Sequence, residues 1–390
     1  MSDQVVKAPT LAELATHHSE KWRAFPADVI PLPVAEMDFP IADPIKALLH
    51  SMVDNSDMGY LGAIPELGAA FSTFAKSRWN WSVDPTKVRV ATDVGVGVVE
   101  ILRVFTTPGD RVLISSPVYQ NFYTWMNETR VTCVDVPFIH QVSDDISQQW
   151  QIDWPAIEEA YGSGIKIHLL CSPHNPIGRV FSEDELKKFV ALAIKHDVII
   201  ISDEIHSPLE YRDHPFTPIL KLGQEAQQVA VVVTAASKGW NIAGLKCAII
   251  VSGSQQMHEK LDSLPYSLHF RASLFGAFAT AMAFDQGVTW LDTVITQLDH
   301  NRQLISDLLK EHLPQVRYNP PQHSYLAWLD LSELNLGENP SEVILEKSRV
   351  ALNPGQIYGS QWKNFARLNF GTSPEIITQA ITQMARGILG

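Results

Sequence analysis

The sequence predicts an α/β protein: a large unit built on a seven-stranded, mostly parallel sheet, followed by a smaller α+β unit. Three observations carry this. Short β-branched runs alternate with helix-like segments from residue 88 to 251. Those runs are apolar on both alternating positions, as suits a sheet covered on both faces. After about residue 275 the alternation gives way to a long helical stretch and a few isolated strands.

Taken in order, the expected strands are VRVA (88–91), RVLIS (111–115), VTCVDV (131–136), KIHLLC (166–171), VIIIS (198–202), VAVVVT (229–234) and CAIIVS (247–252). Between them, EILRVFT (100–106), IEEAYG (157–162) and SEDELKKFVALAIKHD (182–197) carry helical spacing. In the last, Ser182 followed by Glu185 is a capping box that marks the helix start. The stretch 275–313 reads as helical with a bend near Gly287. SYLAWLDL (324–331) and FARLNF (365–370) read as strands, SEVILEKSR (341–349) and PEIITQAITQMARGIL (374–389) as helices. The first 40 residues hold no complete element pair and are expected to pack on one of the two units. The expected domains are 41–285, and 1–40 together with 286–390.

At 390 residues, with 45% hydrophobic and 19% charged residues, the chain is globular and too long for one ordinary core. A net charge of −13 argues against a nucleic-acid partner, since phosphate binding wants a basic surface. No run approaches a membrane span, and the N-terminus lacks a signal peptide's apolar core, so a cytoplasmic protein is expected. Cys133, Cys171 and Cys247 show no paired spacing and are expected as buried, reduced thiols. The 14 histidines form no ligand set with metal-binding spacing, so no metal is expected.

Ligand groups in such a sheet gather at the strand C-terminal ends. CSPHNPIG (171–178), SDEIH (202–206) and TAASKGWNIAG (234–244) each follow an apolar run, and deliver Asn175, Asp203 and Lys238 there. An amine, a carboxylate and an amide at neighbouring strand ends suit an aldehyde cofactor on a pyridine ring: imine, ring-nitrogen partner and ring-oxygen donor. Singly, each has a plainer reading, as a strand-closing lysine, a capping aspartate or a turn asparagine. DVGVGVVEIL (93–102) places Gly95 and Gly97 at a helix start, where free N–H groups attract an anion; the dinucleotide fingerprint is not completed.

With VAEMDFP (34–40), MGYLG (58–62), SPVYQNFY (116–123) and RLNFGTS (367–373), these motifs in this order resemble the fold-type I pyridoxal phosphate enzymes. The resemblance lies in the aminotransferase class I/II branch, nearest its C–S β-lyase (cystathionine β-lyase) subfamily. It implies the PLP-transferase fold, pyridoxal 5′-phosphate as cofactor and Lys238 as both the Schiff-base lysine and the base for the Cα proton. Asp203 would pair with the pyridine nitrogen and Asn175 with the ring oxygen. Amides around Gly95 and Val96, with Lys246, would hold the phosphate. Tyr60 would reach the phosphate of a neighbouring subunit, making a homodimer. Tyr119 would stack on the ring, although a core tyrosine fits the residues equally. Arg367 would clamp the substrate α-carboxylate, where a surface arginine is the plainer reading.

The resemblance also makes Asn175–Pro176 and Ser116–Pro117 candidates for cis geometry. Two positions depart from the common pattern. Ala235 stands where many relatives carry a serine, leaving Thr234 or Ser237 to replace the hydroxyl. His206 stands where aminotransferases place a tyrosine, as in the lyase subfamily. The implied reaction is cleavage of L-cystathionine or a related cysteine S-conjugate to thiol, pyruvate and ammonia. The alternative is amino transfer to a 2-oxo acid. Arg271 could meet a distal carboxylate, though an exposed arginine is the plainer expectation.

Overall fold

In the computed structural model, residues 6–390 are described. All seven expected strands form: β1 (Val88–Ala91), β2 (Arg111–Ile114), β3 (Thr132–Asp135), β4 (Ile165–Cys171), β5 (Ile199–Asp203), β6 (Ala230–Thr234) and β7 (Ala248–Ser252). They make one sheet in the order β1-β7-β6-β5-β4-β2-β3. Only β7 runs against its neighbours, pairing antiparallel with β1 and β6, so the sheet is mostly parallel.

The longer helices are α1 (Asp43–Asp54), α2 (Pro65–Trp79), α3 (Val94–Phe105), α4 (Asn121–Thr129), α5 (Trp154–Gly162), α6 (Glu183–His196), α7 (Leu274–Gln286), α8 (Val288–His312), α9 (Pro340–Ser348) and α10 (Pro374–Leu389). Helix α6 starts on the expected box: Ser182 accepts from the Glu185 N–H, and the Glu185 side chain accepts from the Ser182 N–H. The long helical stretch breaks at Gly287 between α7 and α8. There the Trp240 indole donates to the Gly287 carbonyl at 2.8 Å, and a Cβ would meet Trp240 Nε1 at 2.4 Å, so only glycine fits.

A second, three-stranded sheet joins β8 (Leu326–Asp330), β9 (Asn353–Pro354) and β10 (Phe365–Asn369), with β10 in the middle and antiparallel to both. The N-terminal segment packs here: Ile30–Pro31 pairs in parallel with Val350–Ala351. On either side of this strand the segment is tied together by a fully buried ion pair, Lys21 Nζ to Asp38 Oδ2 at 2.7 Å, with the Trp22 indole donating to Asp38 Oδ1 at 3.2 Å. Lys21→Ala would strand a buried carboxylate, and is expected to cost about 3–5 kcal/mol in a urea titration. Lys21→Met with Asp38→Asn together should cost less, because no unpaired charge remains.

The cysteine expectation needs correction at one place. Cys171 and Cys247 are buried, but Cys133 is exposed. It lies on β3, an edge strand of the sheet that is covered only in part. Among the described residues, no helix is long and apolar enough to cross a membrane.

Candidate active site

Strands β4, β5 and β6 run side by side and in parallel, so their C-terminal ends share one edge. Cys171 is in register with Asp203, and Asp203 with Val233. The chain leaving those three ends carries Asn175, Asp203 itself and Lys238. They line one cavity of about 660 Å3 together with Gly95, Val96, Tyr119, His206, Lys246 and Arg367. Tyr60 is the exception: it is 91% exposed and does not line this cavity.

Lys238 is half-buried, and its Nζ donates to the Ala35 carbonyl at 2.6 Å. Burial lowers the ammonium to about 8; Arg367 and Lys246 act in the same direction, while Glu36 and Asp203 oppose them. Asp203, only 3% exposed, is pushed by burial up to about 7, against the pull of the Ile205 N–H bond and of Lys238. A cation placed against this carboxylate would restore its charge.

Arg367 sits on the central strand β10, between Trp328 of β8 and Asn353 of β9. It is 2% exposed, which rules out the surface-arginine reading. Its Nη1 donates to Asn175 Oδ1 at 3.0 Å and its Nη2 to the Pro33 carbonyl at 2.8 Å. The guanidinium lies over the Tyr358 ring, 5.2 Å from its centre. Its buried Nε has no partner among the described residues, so part of the fork remains for a carboxylate. Because Asn175 Oδ1 accepts from Arg367, its Nδ2 is the group left to donate into the cavity. Asn175–Pro176 and Ser116–Pro117 are both cis, and so is Ser172–Pro173.

At the other wall, α3 begins at Val94 with Asp93 as its cap. Asp93 was not singled out from the sequence, yet it engages two groups expected to hold phosphate. Its Oδ1 accepts from the Val96 N–H at 2.8 Å, and its Oδ2 pairs with Lys246 Nζ at 3.2 Å. The Val96 N–H therefore donates to the cap. The N–H groups of Val94 and Gly95 remain at the helix end. Lys246 has three donors and can serve a second acceptor. Gly95 is required where it stands, since a Cβ would come within 2.9 Å of the Trp125 indole.

Tyr119 packs edge-on against Trp125 at 5.8 Å, and its hydroxyl accepts from Asn121 Nδ2 at 2.7 Å. Burial raises that phenol to about 12, so it stays neutral. His206 Nδ1 lies 2.8 Å from the Ser324 hydroxyl, and burial with the nearby Lys238 charge holds the imidazole neutral, well below its usual range. The missing hydroxyl at Ala235 has one replacement that faces the cavity, Ser237. Thr234 Oγ1 instead donates to the Glu204 carbonyl at 2.9 Å. Arg271 lines the cavity and is exposed.

VAEMDFP (34–40) carries only a resemblance, so the contacts of the 33–36 carbonyls were missed, as was Tyr325. Asp93 carried a local signal for its role, an aspartate just before a helix start. The other contacts join residues hundreds of positions apart. The donor set fits pyridoxal phosphate: an amine of lowered basicity, a buried carboxylate, an amide donor, free helix N–H groups and a lysine.

The aminotransferase class I and II family model matches residues 27–384. A putative cystathionine β-lyase of Mycobacterium leprae is 35% identical, over 100% of this chain and 99% of its own. A cystathionine β-lyase of Corynebacterium glutamicum is 31% identical, over 97% and 99%. A solved structure from Corynebacterium diphtheriae, of a putative PLP-dependent β-cystathionase, superposes with a TM-score of 0.92 at 28% identity, covering 99% of both chains.

Proposed function

The chain belongs to the aminotransferase class I and II family, and on that premise we propose that it is a pyridoxal-phosphate-dependent C–S β-lyase. Its substrate would be L-cystathionine or a related cysteine S-conjugate, cleaved with uptake of water to a thiol, pyruvate and ammonia. The observation that carries the reading is the meeting of Lys238, Asp203, Asn175 and Arg367 in one cavity. The names of the relatives favour elimination, and so does histidine, rather than tyrosine, at position 206.

When bound, the cofactor supplies a carbonyl for the substrate amine and a cationic ring that accepts electron density from Cα. Asp203 would face the ring nitrogen and keep its proton in place. Asn175 Nδ2 would donate to the ring oxygen, and Tyr119 would cover one face. Lys246 and the Val94 and Gly95 N–H groups would hold the phosphate. Arg367 would grip the α-carboxylate through its open fork and so orient the Cα–H bond. Lys238, neutral in an appreciable fraction near pH 7, would take that proton. The Cβ–S bond then breaks with its electron pair leaving on sulfur. The three-carbon remainder takes up water to give pyruvate and ammonia.

The proposal includes a cytoplasmic homodimer in which Tyr60 reaches the partner's phosphate site; its exposure, and that of neighbouring Met58, support this. It also includes the division into residues 41–285 and the remainder. The test is incubation of the cofactor-loaded protein with cystathionine and no 2-oxo acid. Pyruvate and thiol should appear in equal amounts. Turnover that starts only when an amino-group acceptor is added would replace this reading with an aminotransferase.

A further inference from the structure

The Ala35 carbonyl that accepts from Lys238 has a second donor. The Tyr325 hydroxyl reaches the same oxygen at 2.9 Å. Ala35 lies in a strap whose other carbonyls are also held by distant side chains. Pro33 O takes Arg367 at 2.8 Å and Asn353 at 3.2 Å. Asn369 Nδ2 donates to Val34 O and Glu36 O, both at 2.6 Å, and Lys21 adds a bond to Glu36 O at 3.2 Å. The strap is thus held on both sides of Ala35 without Tyr325. What Tyr325 adds is a donor on an oxygen that has two lone pairs. Two donors on one oxygen draw on the same electron density, so each weakens the other.

We propose that Tyr325 is a positioning residue for the proton on Lys238: by occupying one lone pair of the Ala35 carbonyl, it limits that carbonyl's hold on the Lys238 ammonium. The lysine then gives up its proton more readily when substrate has freed it. This rests on the reading of Lys238 as the catalytic base. The charged and titratable groups facing Lys238 are Arg367, Glu36, Asp203, Lys246 and His206, and those facing Tyr325 are Arg367, Glu36, Tyr119 and His206, whose ring lies edge-on at 6.1 Å. Tyr325→Phe alters none of them. The buried phenol is raised above its ordinary value, so its hydroxyl stays a donor at every working pH.

The experiment is arylation of the full chain with fluorodinitrobenzene before cofactor loading, mapped at Lys238 across a pH series. In Tyr325→Phe the midpoint at Lys238 should rise by about half to one pH unit, with about three- to tenfold less arylation near pH 7. The acid limb of kcat in the loaded variant should move to higher pH by the same amount. Placing 3-fluorotyrosine at position 325 makes a stronger donor, and should move the midpoint down. That opposite shift would not follow from a purely structural role, and the fluorinated form keeps the native contacts should the phenylalanine variant not fold. A midpoint that stays put, or moves the same way in both variants, overturns the inference. Arylation needs no turnover, so a failed lyase assay leaves this result readable and bears only on the proposed reaction.

Discussion

Lys238→Ala is expected to remove pyruvate release almost entirely, lowering kcat by about 10³-fold or more. On the proposed roles, two functions would be lost with one amine: the covalent hold on the cofactor and the base for the Cα proton. The fold should survive, because the lysine is half-buried and its one side-chain hydrogen bond among the described residues is to the Ala35 carbonyl, which keeps the Tyr325 hydroxyl. Borohydride reduction of the loaded wild type followed by peptide mapping should place a pyridoxyl group on Lys238, and the variant should show none. Label on another lysine, or near-normal turnover by the variant, would remove Lys238 from its assigned role.

Arg367→Ala is expected to lower kcat/KM by about 10²- to 10³-fold, mostly through KM, from the loss of a charge-assisted two-point contact with the carboxylate. It should also destabilise the protein. The Asn175 Oδ1 loses its buried donor, at about 1–3 kcal/mol, while the Pro33 carbonyl loses one of two and keeps Asn353. Arg367→Lys keeps the charge but not the planar fork, and should recover only part of either loss. A cysteine S-conjugate lacking the α-carboxylate separates the two effects. With that substrate the wild type and Arg367→Ala should differ little. A large difference there would mean that Arg367 acts by holding Asn175 and the strap, and does not bind carboxylate.

Much of the architecture was legible locally. Each of the seven sheet strands is a short apolar run, and the box at Ser182 and Glu185 marks its helix within the element itself. The polar clusters after β4, β5 and β6 were legible as a site for a similar reason, since parallel strands bring their C-terminal ends to one edge. The environment of each group was not. Arg367 reads as an ordinary arginine on a strand until β10 is found in the middle of its sheet, with Asn175 against its fork. Thr234 and Ser237 could each have replaced the missing hydroxyl. Only packing turns the first to the Glu204 carbonyl and the second to the cavity. The bonds from the Val96 N–H and from Lys246 to Asp93 are likewise set by packing.

The sequence by itself determined which residues meet at the candidate site, because strand periodicity and the apolar runs place Asn175, Asp203 and Lys238 at strand ends. Tertiary structure alone decided how strongly each group holds its proton and which donors are already taken. The partners that settle this lie far away in the chain, as Ala35 and Tyr325 do from Lys238. A contact across about 200 residues follows from how distant segments pack together, and no local pattern records it.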